Sequence, residues 1–352
     1  MHKAAPPFAH TSGPKDAKIA IVGEAFGEQE ALVGKPFQGY SGQELTRMLT
    51  EAGIARRECF LTSVFAFRPP NNNISGLCGK KADVGGEGYA LPHLGKIGNY
   101  VLPEYLSELE RLKHELEEVR PNIVIALGAT ACWALLHTNG IGSLRGTVAT
   151  GTLISSKILP TYHPSAVLGN WSWRPIAVAD LIKAKRESAF AEIKRPQRFI
   201  LVNPTIAECH DWIARHIKNE SACDIETKYG MIEMIGFSAS STHAMVVPFW
   251  DRAKGGNYWP SANLEKDARN VVRSILENPN VVKIFQNGLY DLQYLMKEGY
   301  RPKNCLEDTM LYHHALYPEL QKGLGFLGSV YTSEPAWKMM RGKKITEMKK
   351  DD

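Results

Sequence analysis

The run Lys18-Ile19-Ala20-Ile21-Val22 ends in Gly23-Glu24-Ala25-Phe26-Gly27. Its apolar residues read as a buried strand, and the glycines that follow let the backbone turn tightly and approach a ligand closely. The chain continues through Gly34-Lys35-Pro36-Phe37-Gln38-Gly39 to a helix predicted around Gln43 to Ala52. The same grammar recurs further on. Cys59-Phe60-Leu61-Thr62-Ser63-Val64 leads into Phe67-Arg68-Pro69-Pro70, Asn122 to Leu127 turns into Gly128-Ala129-Thr130-Ala131, and an apolar strand runs into Leu159-Pro160-Thr161-Tyr162-His163-Pro164-Ser165. Strands alternating with helices imply a mainly parallel sheet, whose ligand site lies at the carboxyl ends of the strands. The marked loops all lie at such ends.

A second constellation occupies the other half. In Cys223-Asp224-Ile225-Glu226-Thr227 two acids one residue apart share a face of a predicted strand, because side chains alternate with period two. Two like charges held that close are stable with a cation between them, most simply a divalent metal with oxygen ligands; an edge strand with two solvated acids is the plainer alternative. Val281 to Phe285 reads as another buried strand delivering Gln286-Asn287-Gly288-Leu289-Tyr290-Asp291 into a helix through Leu292, Leu295 and Met296. Glu307-Asp308-Thr309-Met310-Leu311 opens a further helix.

Composition bounds the rest. With 352 residues, 44% hydrophobic and 22% charged, the chain can bury sizeable cores, and two domains are expected, residues 1–194 and 195–352. The boundary is placed at Lys194-Arg195-Pro196-Gln197, after a Lys/Arg-rich helix. The longest apolar runs are too short to span a bilayer and the start lacks the apolar core of a signal peptide, so a cytoplasmic protein with no membrane partner is expected. Six cysteines without a Cys-x-x-Cys pair suggest neither a zinc ribbon nor a disulfide framework. A net charge of +5 is mild for a nucleic-acid protein. Binding would come from local patches such as Lys183, Lys185, Arg186, Lys194, Arg195 and Arg198, which a solvated linker explains equally well. The residues up to Pro14 read as a loose leader. The Gly-rich stretch from Asn71 to Pro103, with Lys80, Lys81 and Lys96, reads as a disordered or partner-contacting insert. His114, His313 and His314 read as ordinary helix histidines, the last two with a lesser chance of a role near Asp308. Trp171 and Trp173 stack on bases or plug the domain junction.

The first half resembles the uracil-DNA glycosylase superfamily, nearest its family 4 pattern, in Gly-Glu-Ala-x-Gly, Gly-x-Pro-Phe-x-Gly, Arg-Pro-Pro, Leu-Gly-Ala-Thr-Ala, His-Pro-Ser and Asp180-Leu181. The resemblance implies an α/β/α sandwich and a flipped base held by stacking and edge hydrogen bonds. It makes Phe37 the stacking platform, puts Glu24 and Ala25 in a water-positioning loop, sets His163 against the uracil carbonyl and Leu168 in a duplex-wedging loop. Ser63 stands where the family carries Asn, and a hydroxyl does not reproduce paired amide contacts. The four cluster-ligating cysteines are missing, so no iron-sulfur cluster is expected, and Phe26 replaces a Pro.

The second half, about 196 to 337, resembles the 3'-5' exonuclease domain of family A DNA polymerases, within the RNase H-like DnaQ superfamily. That resemblance makes Asp224, Glu226 and Asp291 the carboxylates of a two-metal Mg²⁺ or Mn²⁺ site and puts Asn287 and Tyr290 against DNA. The family's last motif, which should follow the Leu324 to Trp337 segment, is missing. The fusion resembles the amino-terminal part of certain large-phage DNA polymerases. The expectation is a DNA replication or repair protein, an exonuclease coupled to a glycosylase-like DNA-binding domain acting on single strands or 3' ends, with a polymerase chain as partner. That chain would be docked by the apolar segment Leu324 to Trp337. The alternatives are a non-catalytic DNA-binding or polymerase-docking subunit, and an active glycosylase with an inactive nuclease appendage.

Overall fold

A strand flanked by strands and covered on both faces is free to be apolar throughout, and Ile19–Val22 and Ile123–Leu127 are such runs. In the computed structural model, which describes residues 2–84, 92–94 and 98–334, β1 (Ile19–Ala25), β2 (Cys59–Phe65), β3 (Ile123–Leu127), β4 (Ala149–Thr150) and β5 (Lys157–Thr161) form one sheet. Its order is β2-β1-β3-β5-β4, parallel except for the short edge strand β4. Helices α1 (Glu28–Val33), α2 (Tyr40–Glu51), α3 (Ser107–Val119) and α4 (Gly128–Leu136) connect these strands, and α5 (Pro164–Gly169) and α6 (Arg174–Glu187) follow the last of them. Phe60, Leu112, Val124, Trp133 and Ile158 meet in the core on one side of the sheet.

The chain divides into two compact units, one comprising Met1–Lys194 with the segment from Gly325, the other Arg195–Leu324. In the second unit, β6 (Phe199–Leu201), β7 (Glu220–Lys228), β8 (Met231–Ser238), β9 (His243–Pro248), β10 (Val282–Phe285) and β11 (Glu307–Asp308) are ordered β11-β10-β7-β8-β9-β6. The meander β7-β8-β9 is antiparallel, and β10 and β11 run parallel to β7. Helix α7 (Ile206–His216) starts with a capping box in which Thr205 and Glu208 satisfy each other's backbone. Helix α8 (Ala262–Leu276) buries Ala268, Val271, Val272 and Ile275 on one stripe. Helices α9 (Gly288–Lys297) and α10 (Thr309–Leu316) follow β10 and β11.

Three expectations are corrected. The leader is tied down: His2 Nε2 pairs with Glu108 Oε1 at 2.8 Å, the Phe8 N–H donates to Glu115 at 3.1 Å, and Ser12 bridges to Leu61. The Asn71 to Pro103 insert is ordered where described. Cys78–Lys80 pairs with Asn99–Val101, Leu77, Leu94 and Val101 are buried, and Trp133 Nε1 donates to Pro92 O at 2.7 Å; Lys96 lies outside the described residues. Last, residues 325–334, assigned to the second domain and taken as part of an exposed docking surface, pack on the first unit.

That packing reverses the reading of Lys183. Helix α11 (Leu324–Tyr331) buries Leu327 and Ser329. Lys183 is buried rather than part of a DNA-facing patch, and its ammonium donates to the carbonyls of Gly146 (2.7 Å), Thr332 (2.6 Å) and Ser329. Arg145, buried against Asp180, donates to Ser329 Oγ at 2.8 Å. Burial pulls the Lys183 ammonium down to about 8, and the three carbonyls keep its protons partnered. Trp337 lies outside the described residues. We expect Leu327→Ala to lower the first unit's stability by about 2–5 kcal/mol in urea unfolding followed by tryptophan fluorescence; an unchanged midpoint would mean that α11 is not held there.

Candidate functional site

The carboxyl ends of β1, β2 and β5 bring Gly23, Ser63 and His163 together. Gly23 pairs with Ser63 across the ladder. A Cβ on Gly23 would stand 2.7 Å from the Phe37 ring and 3.5 Å from Ser63 Oγ, so the missing side chain makes room for the ring beside that hydroxyl. Phe37 has φ of +56°, a left-handed conformation that costs a bulky residue about 1–3 kcal/mol. It is held there by Arg56, whose NH2 donates to Phe37 O and whose NH1 donates to Gly42 O, each at 2.8 Å. A Cβ on Gly42 would lie 2.0 Å from Phe37 O. Phe37 and His163 are stacked, with ring centroids 6.4 Å apart at 30°.

His163 caps α5. The Ser165 backbone N–H donates to His163 Nδ1 at 3.2 Å. A backbone N–H can only donate, so Nδ1 is bare and the proton of the neutral ring sits on Nε2. Burial pulls the imidazole down to about 4, against a smaller opposing pull from Glu30. At neutral pH this is a neutral ring with one N–H to offer.

Glu30 was missed from sequence. Its buried carboxylate accepts the N–H groups of Gly27 (3.1 Å), Gln38 (2.7 Å) and Gly39 (3.0 Å), fastening the two glycine loops to each other. The signal was present: Glu30 stands three residues after Gly27, the spacing of a capping box. Arg56 and Arg111 were missed as well; Arg111 is buried and donates to the carbonyls of Ser63 (2.7 Å) and Val64 (2.9 Å). Glu24 accepts from the buried Thr130 hydroxyl, and Ala25 beside it is half-buried. Phe26 is buried and edge-on to His10. Beyond His163, Leu168 and Trp171 are exposed, whereas Trp173 stacks on Tyr162 at 4.5 Å. Asp180 receives Arg145 and the Thr161 hydroxyl, which ties α6 to the end of β5.

The uracil DNA glycosylase superfamily model matches residues 10–194. The chain belongs to the uracil-DNA glycosylase superfamily. Among its relatives, the type-4 uracil-DNA glycosylase of Saccharolobus solfataricus is 33% identical over 181 residues, covering 49% of this chain and 72% of the relative. That of Thermotoga maritima is 33% identical over 177 residues, covering 49% and 79%. The glycosylase-family unit carries Cys59, Cys78 and Cys132 within the matched region. Burial pushes the Cys59 and Cys132 thiols up to about 12, and among the described residues they form no group of three metal ligands. These residues do not fit a four-cysteine cluster.

Outside the glycosylase-family region, Asp224 and Glu226 share the outer face of β7, opposite Gly236 and Met234, while Cys223 and Ile225 face inward. Asp291 is buried on α9 and accepts the Ile225 N–H at 3.0 Å. Burial pushes its carboxyl up to about 6, with the charges of Asp224 and Asp308 adding to the rise. Asp308 gathers the N–H groups of Asn287 (3.2 Å), Gly288 (2.8 Å) and Met310 (2.8 Å). Asn287, with φ of +62°, starts α9, and the exposed Tyr290 shares a 2.7 Å hydrogen bond with Thr227. Among the described residues, no three of His, Cys, Asp and Glu stand close enough together to hold a metal ion. Of the expected set, Asp224 and Glu226 share a strand face, one oxygen of Asp291 accepts from the β7 backbone, and Asp224 lies near enough for its charge to act on Asp291.

Two outcomes test the pocket. Because His163 takes its proton in the folded chain near pH 4 and in the unfolded chain near about 6.5, the unfolded chain binds more protons between those values. Its contribution to stability is therefore lost as pH falls through that window, and melting temperatures followed from pH 7 to 4 should fall less steeply in His163→Ala. Since Glu30 raises the His163 pKa, Glu30→Gln should move the ring's NMR titration to lower pH; a shift to higher pH would contradict the geometry.

Proposed function

We propose that the first unit excises uracil from DNA, slowly, as a base-flipping glycosylase. The flipped base stacks on Phe37. As the bond between the sugar C1' and the base nitrogen breaks, the electron pair leaves on the base and negative charge grows on its carbonyl. The neutral His163 then donates its Nε2–H to that oxygen, a stabilisation that strengthens as charge develops. Water, oriented by the loop that carries Glu24 and Ala25, adds its oxygen to C1' and gives up a proton, which ends on the departed uracil anion, leaving an abasic sugar and free uracil. The observation that carries the reading is the Ser165 N–H on His163 Nδ1, which fixes the donor tautomer this step uses.

Ser63 sets the rate we expect. A hydroxyl beside the stacking ring reads the base edge with less than the paired contacts of an amide. Losing one buried hydrogen bond costs about 1–3 kcal/mol, roughly tenfold to a hundredfold. On a uracil-containing single-stranded oligonucleotide we expect slow abasic-site formation by the wild type, faster formation by Ser63→Asn and none by His163→Ala. Release unaffected by His163→Ala would overturn the mechanism.

For the second unit we infer an RNase H-like, exonuclease-type fold that binds DNA and, in this chain, does not hydrolyse it. An antiparallel meander followed by two strands parallel to its first member, with acids on β7 and α9, supports the fold reading. The Ile225 N–H held by Asp291 supports weak or no hydrolysis, and the polymerase partner remains part of this proposal. End-labelled single strands incubated with manganese should stay full length. Shortening that disappears in Asp224→Ala with Glu226→Ala would restore the nuclease.

A further inference from the structure

The family match ends at residue 194, yet the unit it covers is completed by residues that follow the second unit, since the segment from Gly325 belongs with Met1–Lys194. Helix α11 brings the Ser329 hydroxyl into it. Ser329 Oγ donates to Phe326 O at 2.6 Å and accepts from Arg145 NH1 at 2.8 Å. Arg145 Nε in turn donates to Asp180 Oδ2 at 2.9 Å, while its NH2 takes the other carboxylate oxygen. The Thr161 hydroxyl donates to that same Oδ2 at 2.7 Å. All four side chains are buried, so each is held by the next rather than by solvent. Thr161 is the last residue of β5, and two residues on His163 caps α5 and stacks on Phe37. Tyr162, between them, lies near enough to Arg145 and Asp180 for both charges to act on its hydroxyl, and its ring stacks on Trp173.

We propose that Ser329 is a positioning residue for the glycosylase pocket, acting through Arg145, Asp180 and Thr161 on the loop that carries His163. The shared oxygen makes the path. A guanidinium that loses its NH1 partner re-aims, and the carboxylate held to it by two parallel bonds turns with it. Thr161 donates to that turning carboxylate, so the end of β5 loses its anchor and His163 shifts on its cap. Where geometry decides a rate, a displacement of about 1 Å costs on the order of a hundredfold. A buried ion pair that only held α11 in place would cost stability and leave the His163 ring as it was.

The test uses the full chain. In Ser329→Ala the maximal rate of uracil release should fall about two- to thirtyfold with KM little changed. The His163 ring titration, followed by NMR, should move up toward the ordinary histidine value, because a looser loop exposes the ring to water. Ser329→Thr, which keeps the hydroxyl, should restore both. Thr161→Val breaks the path at its other end without touching α11; it should act like Ser329→Ala, and it keeps the test open if that variant does not fold. With one shared path, the double variant should be no worse than the more damaged single one. An unmoved His163 titration in the folded single variants, no restoration by Ser329→Thr, or losses that simply multiply in the double variant would overturn the proposal. Uracil release as a readout rests on the glycosylase reading; a wild type that releases none removes that reading and leaves the ring titration to decide this one.

Discussion

A buried carboxylate surrounded by backbone N–H groups is the constraint on which the first unit's pocket depends. Glu30 receives three such groups from two loops separated in sequence, one following Glu24 and the other carrying Phe37. Unpartnered, each of these N–H groups would cost about 1–3 kcal/mol if buried. Removing Glu30 would release both loops together. The Phe37 backbone stores strain that only such over-determination can hold: Arg56 grips its carbonyl from one side and Gly42 leaves it space on the other.

The strands were legible because burial on both faces selects apolar runs, and that signal survives in Ile19–Val22 and Ile123–Leu127 without any tertiary knowledge. Helix starts were legible where a cap sets them, as at Thr205. What sequence hid was long-range. Nothing local tells Lys183, in a Lys/Arg-rich helix, that three carbonyls will close over its ammonium, two of them from residues about 150 positions onward. A cation that looks solvated on its own helix becomes interior once a distant segment covers it. The ordered leader is the same case, since His2 has no sequence-level reason to find Glu108.

The acids of the second unit show a different limit. Period two correctly put Asp224 and Glu226 on one face, because alternation is a property of the strand alone. Convergence with Asp291 is a property of how α9 meets β7, and there the side chain reaches the Ile225 N–H. Burial then favours its neutral form, with Asp224 and Asp308 reinforcing the effect. The Ile225 N–H works the other way and favours the charged form, so the state of this carboxyl is set by its spatial neighbours rather than by its place in the sequence.

His163 illustrates why a resemblance has to be completed by electrostatics. A histidine beside a base could serve as a charged acid or as a neutral donor, and the residue type does not choose. The environment does: desolvation removes the charged form, and the Ser165 N–H occupies the nitrogen that would otherwise compete for the proton. A neutral donor gives up no proton as the base departs, so it is favoured where charge on the carbonyl grows but is never fully quenched. Its strength then depends on the base being held still against it. On the proposed reading, in which Ser63 meets the base edge beside a Phe37 fixed by Arg56, orientation, more than charge, is the term that limits this pocket.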